Sequence, residues 1–392
     1  MRRVAIEERR ARLGRRHGLA PDGRTDGPVQ AAASVVALHG TDAASVYLSA
    51  WARMHDGDVG AVSRALYDER SLLRVLAMRR TMFVAPVDTA AVLLAACSRD
   101  VAARERRRLI GLLEAAGVAG DVERWLAAAE ESALRSLAER GEATATELAA
   151  DDPLLGTTLV LSPGKSYSAK QSVASRVLIV LGAEGKVVRT RPSGGWTSTQ
   201  FRWAALSTWH PGVEEHDVES ARAELAGSWL AAFGPATVDD LRWWTGWTAG
   251  TARAALAAVP TVEVEMDGAT GLVRADDAEP VAGAEPWAAL LPALDPTTMG
   301  WKERGWYLGD HGPLLFDVNG NAGPTVWWDG RVVGGWAQAA GGEIRVHLLE
   351  DVGADAAAAI DRAAADLAGR VGSAKLSPRA RARSEVERLL LN

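Results

Sequence analysis

One order of signals occurs twice along the chain and restricts its fold more than any other feature. A helical segment over 133–140 runs into the turn Gly141-Glu142-Ala143-Thr144, and a short helix headed by Thr144 follows. After a loop come an apolar-faced helix over 171–182, a strand at 186–190, the turn Pro192-Ser193-Gly194-Gly195 and a second strand from Trp196 to Trp203. About ninety residues later a helix over 219–233 meets Gly234-Pro235-Ala236-Thr237, and a short helix at 238–241 follows. A helix over 249–259 and the β run 262–266 come next, and the Asp267-Gly268 turn leads into a return strand. A Thr before a helix accepts an orphan N–H of its first turn. Asp-Gly between two apolar-patterned runs marks a hairpin.

Helix, tight turn, short helix, second helix and two-stranded hairpin is the winged helix-turn-helix plan, whose second helix enters a DNA groove. Recurrence within one chain is stronger evidence than either copy alone. The segment from Tyr47 to Pro86 reads as a third, less regular copy, with helices near 29–38, 42–54 and from Val59 through Leu76, then a strand over 79–86. Residues 1–18 read as a basic amphipathic helix able to touch a phosphate backbone or simply to face solvent. From Pro286 short strands alternate with Gly/Pro/Asn turns, and Asp329-Gly330 is a second hairpin signal. The expected class is α+β, in four parts: a helical N-terminal region with the first motif at 1–120, winged helices at 121–215 and 216–285, and a β-rich C-terminal domain with terminal helices at 286–392.

Composition sets the outer bounds. A chain of 392 residues is too long for one core and suits roughly two to four domains. The net charge of −6 argues against a polyelectrolyte partner for nucleic acid as a whole. A basic face can survive a negative total, however, and nearly all the cations are Arg, which binds phosphate bidentately and stacks on flat groups. The single Cys97, in an apolar helix, excludes internal disulfides and reads as a small buried hydrophobe. The seven histidines show no ligand spacing, so no metal and no cofactor are expected. No membrane-spanning run or signal peptide is evident, and the expectation is a cytoplasmic, nucleoid-associated monomer. The 15 Trp outnumber the 4 Phe and 4 Tyr together, and such clusters serve core packing more often than ligand cages. Ser162-Pro163-Gly164-Lys165-Ser166-Tyr167 resembles a phosphate loop but lacks its G-x-x-x-x-G-K-[ST] frame.

One stretch carries candidate chemistry. The apolar run 31–38 reads as a helix ending at His39-Gly40, and Thr41-Asp42 opens the next helix. An imidazole, a hydroxyl and a carboxylate thus lie within four residues, a suitable place to hold a water against a substrate. The plain alternative is a helix cap, which for Asp42 outranks catalysis on local evidence. His39 reads equally as a water-orienting base or as a phosphate-contacting residue.

These residues carry a resemblance. The stretch around His39, Leu76–Phe83, Phe233–Trp244, Leu291–Asp295 with Gly300–Arg304, and Asn319–Thr325 with Asp329–Gly334 are similar to the AlkZ/YcaQ-like DNA glycosylases, a family that includes antibiotic self-resistance enzymes. The resemblance implies tandem winged helices and a β-rich C-terminal domain forming a C-shaped clamp on duplex DNA. It also implies hydrolysis of the N-glycosidic bond of alkylated or bulky purine adducts in base-excision repair, by a monofunctional glycosylase. Active relatives carry Gln, an apolar residue, then Gln or Asp where this chain has His39, Gly40 and Thr41, followed by Asp42.

An N7- or N3-alkylpurine is already a good leaving group, so the protein must place a water and stabilise an oxocarbenium-like sugar. His39 is ranked first for orienting the water, Asp42 second and Thr41 third. Arg79, Arg80, Lys165, Lys170, Arg176, Arg189, Arg191 and Arg202 are expected to contact the DNA backbone. The rival reading is a non-catalytic winged-helix DNA-binding protein, a regulator or lesion shield, in which His39-Gly40-Thr41 hydrolyses nothing. A weaker third reading keeps the winged helices only as protein-interaction surfaces.

Overall fold

In the computed structural model, which describes residues 1–161, 164, 168–376 and 383–392, helices alternate with five small sheets of two to four strands. The chain is of mixed α+β class. In the first of the two similar stretches, Thr144 and Glu147 cap one another: Glu147 N–H donates to the Thr144 hydroxyl (3.2 Å) and Thr144 N–H to the Glu147 carboxylate (2.6 Å). This reciprocal box starts the helix Ala145–Asp151. Thr237 and Asp240 form the same device at the head of Val238–Thr245. The helices Val173–Ala183 and Ala249–Ala257 follow, and then the hairpins Val187–Pro192 with Phe201–Ala205 and Thr261–Met266 with Ala269–Arg274. Asp267 and Gly268 both have positive φ (45° and 86°), as do Asp329 and Gly330 (45° and 77°). Both Asp-Gly pairs therefore take the tight-turn geometry that matches strand twist.

Four details differ from the sequence expectation. The loop after the first short helix is a two-stranded ribbon, Thr158–Leu161 with Ala169–Ser172. Trp196 lies outside the strand assigned to it and packs on Tyr47 and Trp51, each 5.2 Å away between ring centroids. Leu72–Ala77, read as the end of a helix, is a strand buried along its whole length. Burial on both faces removes the alternation that would have marked it. Finally, the helix before His39 ends at Ala33, and Val36 takes a left-handed turn (φ 66°). Leu38–His39 is a short strand on the edge of a sheet whose central strand is Thr81–Pro86.

The N-terminal arginines are structural. Arg2–Arg3 pairs as a strand with Val264-Glu265. In the helix Ile6–Arg16, Arg12 is 1% exposed and is held by Glu8 and Asp277, while Arg9 stacks on Trp306 (4.1 Å). The C-terminal sheet is an antiparallel meander of Ala288–Leu291, Thr325–Trp328, Arg331–Gln338 and Ile344–Leu348, packed on the helix Ala354–Val371. One hydrophobic core gathers residues from Leu13 to Val386, whereas a second gathers only residues from Leu109 to Trp203.

The helix Ala43–Trp51 is pinned to the segment 293–297 along one polar stripe. The Ser45 hydroxyl, which donates to Asp42, also lies 3.3 Å from the Ala293 carbonyl, and Ser49 donates to the Asp295 carboxylate (2.6 Å). Just past the helix end Arg53 grips that carboxylate with two nitrogens (2.9 and 2.7 Å). Residues 45, 49 and 53 are spaced i, i+4, i+8 and so share a face. Arg53 and Asp295 are both fully buried. Burial pushes the Asp295 carboxyl up, but the charge and hydrogen bonds of Arg53 outweigh it and hold the group below the usual carboxylate range. His17 completes the cluster: its Nε2 faces the Ala232 carbonyl, so that nitrogen carries the hydrogen, and Nδ1 faces the Thr297 hydroxyl (2.9 Å). Burial and the Arg53 charge push the imidazole down to about 3.

Two outcomes follow from this cluster. Asp295→Asn leaves a buried guanidinium uncompensated and should cost about 3–5 kcal/mol, measured by chemical unfolding. His17 is neutral when folded but titrates near 6.5 when unfolded, so its contribution is complete above that pH and is lost as the pH falls from about 6.5 toward 3. Stability should drop by about 1.4 kcal/mol per pH unit in that window from this group alone, and His17→Gln should flatten the slope.

Candidate active site

The middle of the candidate motif is held from below. Gly40 N–H donates to the Met82 carbonyl (2.7 Å), and its own carbonyl accepts from the buried guanidinium of Arg74 on the strand Leu72–Ala77. A Cβ at Gly40 would lie 3.2 Å from the Arg74 Nη1 and 3.3 Å from the Met82 oxygen, so the backbone packs too closely for a larger residue to enter freely. His39, half-buried, meets Phe83 edge-to-face at 5.8 Å.

The structure separates the three residues proposed for the chemistry. His39 lines a cavity of about 400 Å³ together with Arg79, Thr81, Trp243, Lys302 and Arg304. Thr41 is exposed and does not line that cavity. Asp42 is the N-cap of the helix Ala43–Trp51: its carboxylate accepts from Ser45 N–H (3.0 Å) and the Ser45 hydroxyl (2.8 Å). Asp42 borders a different, smaller cavity beside Pro292 and Gln338. Its alternative as a cap is the role the geometry gives it, because both contacts lie within its own first helical turn.

Among the described residues, the cavity wall carries no Asp or Glu. Arg79 and Arg80 are consecutive residues in the left-handed region (φ 52° and 62°), a conformation costly for non-glycine residues and concentrated at functional sites. Arg79 lies over the Trp243 ring (4.5 Å), and Arg304 lies over the same ring (4.5 Å). Burial, then the charge of Arg304, lowers the Arg79 pKa, though an arginine stays charged at neutral pH.

The other expected DNA contacts divide into two groups. Arg80 pairs with Glu105 (2.8 Å) yet remains 40% exposed at its side chain. Arg176, partly buried, has Arg80 and Arg108 as neighbouring charges, and Lys170 is exposed on the ribbon. Lys165, like most of the loop-like stretch 162–167, lies outside the described residues. Arg189 is enclosed, stacking on Trp203 (5.0 Å) and Phe201 (5.4 Å), and burial pushes it down to about 10. Arg191 pairs with Asp68 (2.7 Å) and Arg202 with Glu147 (3.1 Å). For these last three the structure supplies internal partners where phosphates had been expected.

Lys302, Arg304, Trp243, Asn319 and Asn321 line the cavity but had no role assigned from the sequence. All five fall in the stretches that carry the family resemblance, and only their three-dimensional convergence marks them out. A larger cavity of about 770 Å³, bordered by Lys186, His210 and His216, contains none of the candidates. Among the described residues no three His, Cys, Asp or Glu are grouped to hold a metal ion, and no helix is long and apolar enough to cross a membrane.

Comparison with known proteins bears on the fold and the family. The whole fold is similar to that of Streptomyces sahachiroi DNA glycosylase AlkZ, with a TM-score of 0.71 over 96% of this chain and 99% of that one, at 20% sequence identity. No curated protein matches the sequence. The family model described as DNA glycosylase AlkZ-like matches residues 32–370, which include His39 and every residue lining its cavity. The chain belongs to the AlkZ-like DNA glycosylase family.

Proposed function

We propose that the protein hydrolyses the N-glycosidic bond of N7- or N3-alkylated or bulky purines in duplex DNA, with His39 orienting the attacking water. The carrying observation is that His39 alone of the three motif candidates opens into the cation-lined cavity. A neutral imidazole nitrogen accepts a proton from water as it attacks C1′, and the alkylated purine departs without protonation because it is already cationic. Water is the only co-reactant, so the reading calls for no cofactor. Asp42 acts through the helix cap, and Arg74 through its hold on the Gly40 carbonyl.

In this reading the two helix–helix–hairpin stretches are winged helices, and with a less regular N-terminal copy and the C-terminal sheet they form a C-shaped clamp on the duplex. The units are 1–120, 121–215, 216–285 and 286–392, acting as a monomer in repair or genotoxin self-resistance. The separate core of residues 109–203 supports an autonomous second unit. A single specific observation favours the rival, a non-catalytic regulator or lesion shield: among the described residues no carboxylate lines the cavity to face an oxocarbenium ion.

With a duplex carrying N7-methylguanine and alkaline cleavage of abasic sites as the readout, His39→Ala should slow product formation by roughly 100-fold or more while retaining DNA binding. Asp42→Ala should cost about 1 kcal/mol of stability with a much smaller loss of rate. Tight binding by the unmodified protein without abasic product would select the rival.

A further inference from the structure

Three separate parts of the chain deliver the cationic wall of the His39 cavity. Trp243 stands on the short helix Val238–Thr245, Arg79 on the left-handed turn before Thr81–Pro86, and Arg304 just before the C-terminal helix Gly305–Leu308. The stem of Arg79 rests on Gly246, where a Cβ would come within 2.9 Å of its Cγ. Arg304 is fixed by its Nε donating to the Trp301 carbonyl (2.9 Å) and by a second ring, Phe316 (4.8 Å). Among the described residues neither guanidinium forms an ion pair. The nearest carboxylate to influence Arg304, Asp240, has both oxygens taken: one by Lys302 and Glu303 N–H (2.9 and 3.1 Å), the other by Thr237.

Two guanidiniums centred 4.5 Å from one indole centroid lie at most about 9 Å apart. Guanidiniums no farther apart than that can both reach one phosphodiester through charge-assisted N–H···O contacts of roughly 2.7–2.9 Å. A cationic alkylpurine does not suit this wall, because Arg79, Arg304 and Lys302 would repel it and the guanidiniums already cover the indole. We infer that Arg79 and Arg304, held by Trp243, form a clamp for one phosphodiester of the damaged strand next to the lesion. Binding there sets the adjoining sugar beside His39, in the same cavity. The placement next to the lesion rests on the glycosylase reading, whereas the clamp itself does not.

The test replaces single phosphates by neutral methylphosphonates along a duplex and measures binding to the intact protein. One position adjacent to the lesion should weaken binding by about 10-fold or more, in keeping with loss of a hydrogen bond between charged groups. Arg79→Gln and Arg304→Gln should each bind more weakly and lose part of the sensitivity to that one position, the double variant should lose it entirely, and all three should keep sensitivity elsewhere. Because both arginines neutralise one phosphate, the double variant should lower the salt slope by about 1, not by 2. Unchanged thermal midpoints separate this from misfolding, and the scan of the unmodified protein needs no variant at all. A scan with no sensitive position, or variants that keep their sensitivity, would overturn the clamp even if abasic product still forms. Conversely, a clear position with no abasic product would keep the clamp and remove the glycosylase. Selective loss of lesion binding in Trp243→Leu, with undamaged duplex bound normally, would instead make the indole a base-stacking surface.

Discussion

The buried grip of Arg53 on Asp295 fixes the geometry on which everything else depends. It closes a stripe of polar contacts along the helix Ala43–Trp51, whose other end begins three residues after Gly40. The same segment that receives the stripe, 293–297, supplies Leu294 and Pro296 to the cavity wall and is followed there by Met299. Register between the candidate motif and the C-terminal half is therefore set by a desolvated ion pair. Such a pair contributes little net stability over an apolar substitute, but it tolerates no half measures once one partner is removed. Its use here is consistent with a need for a fixed alignment between two distant pieces of sequence.

A negative chain presents a positive pocket by spending its carboxylates elsewhere. Glu8 and Asp277 hold the N-terminal arginines, Asp68 and Glu147 hold Arg191 and Arg202, and Asp240 is turned inward onto backbone N–H groups. In the wall of the His39 cavity, Arg79 and Arg304 are left without an ion pair among the described residues. Net charge predicts none of this, since it is the pairing pattern that decides where a phosphate can bind.

The parts of the fold governed by neighbouring residues were legible in the sequence. Thr144 and Thr237 announced their helices, and Asp267-Gly268 and Asp329-Gly330 announced their turns, because capping and turn chemistry act over three or four residues. Strand Leu72–Ala77 was not legible, since burial on both faces erases its period. Nor was the two-residue strand at His39, which exists only through pairing with Phe83 and Val84. At the candidate site, the sequence singles out His39, which lines the cavity, and already weighs Asp42 as the cap it forms. Arg304 and Trp243 were missed because their stacking joins residues 61 positions apart, and Arg79 joins them from 164 positions away. No local pattern encodes such a meeting. Equally, the ion pairs of Arg191 with Asp68 and of Arg202 with Glu147 join residues distant in sequence and leave no local trace.

If the proposed hydrolysis takes place, the His39 cavity receives the sugar of a damaged nucleotide. A structure of the protein bound to a duplex with a hydrolysis-resistant 2′-fluoro N7-methylguanosine tests it most directly. The expected result is a water bridging C1′ and the His39 imidazole, at roughly 2.6–3.2 Å from the ring nitrogen. A lesion lying on another face of the protein, with His39 remote from its sugar, would contradict it.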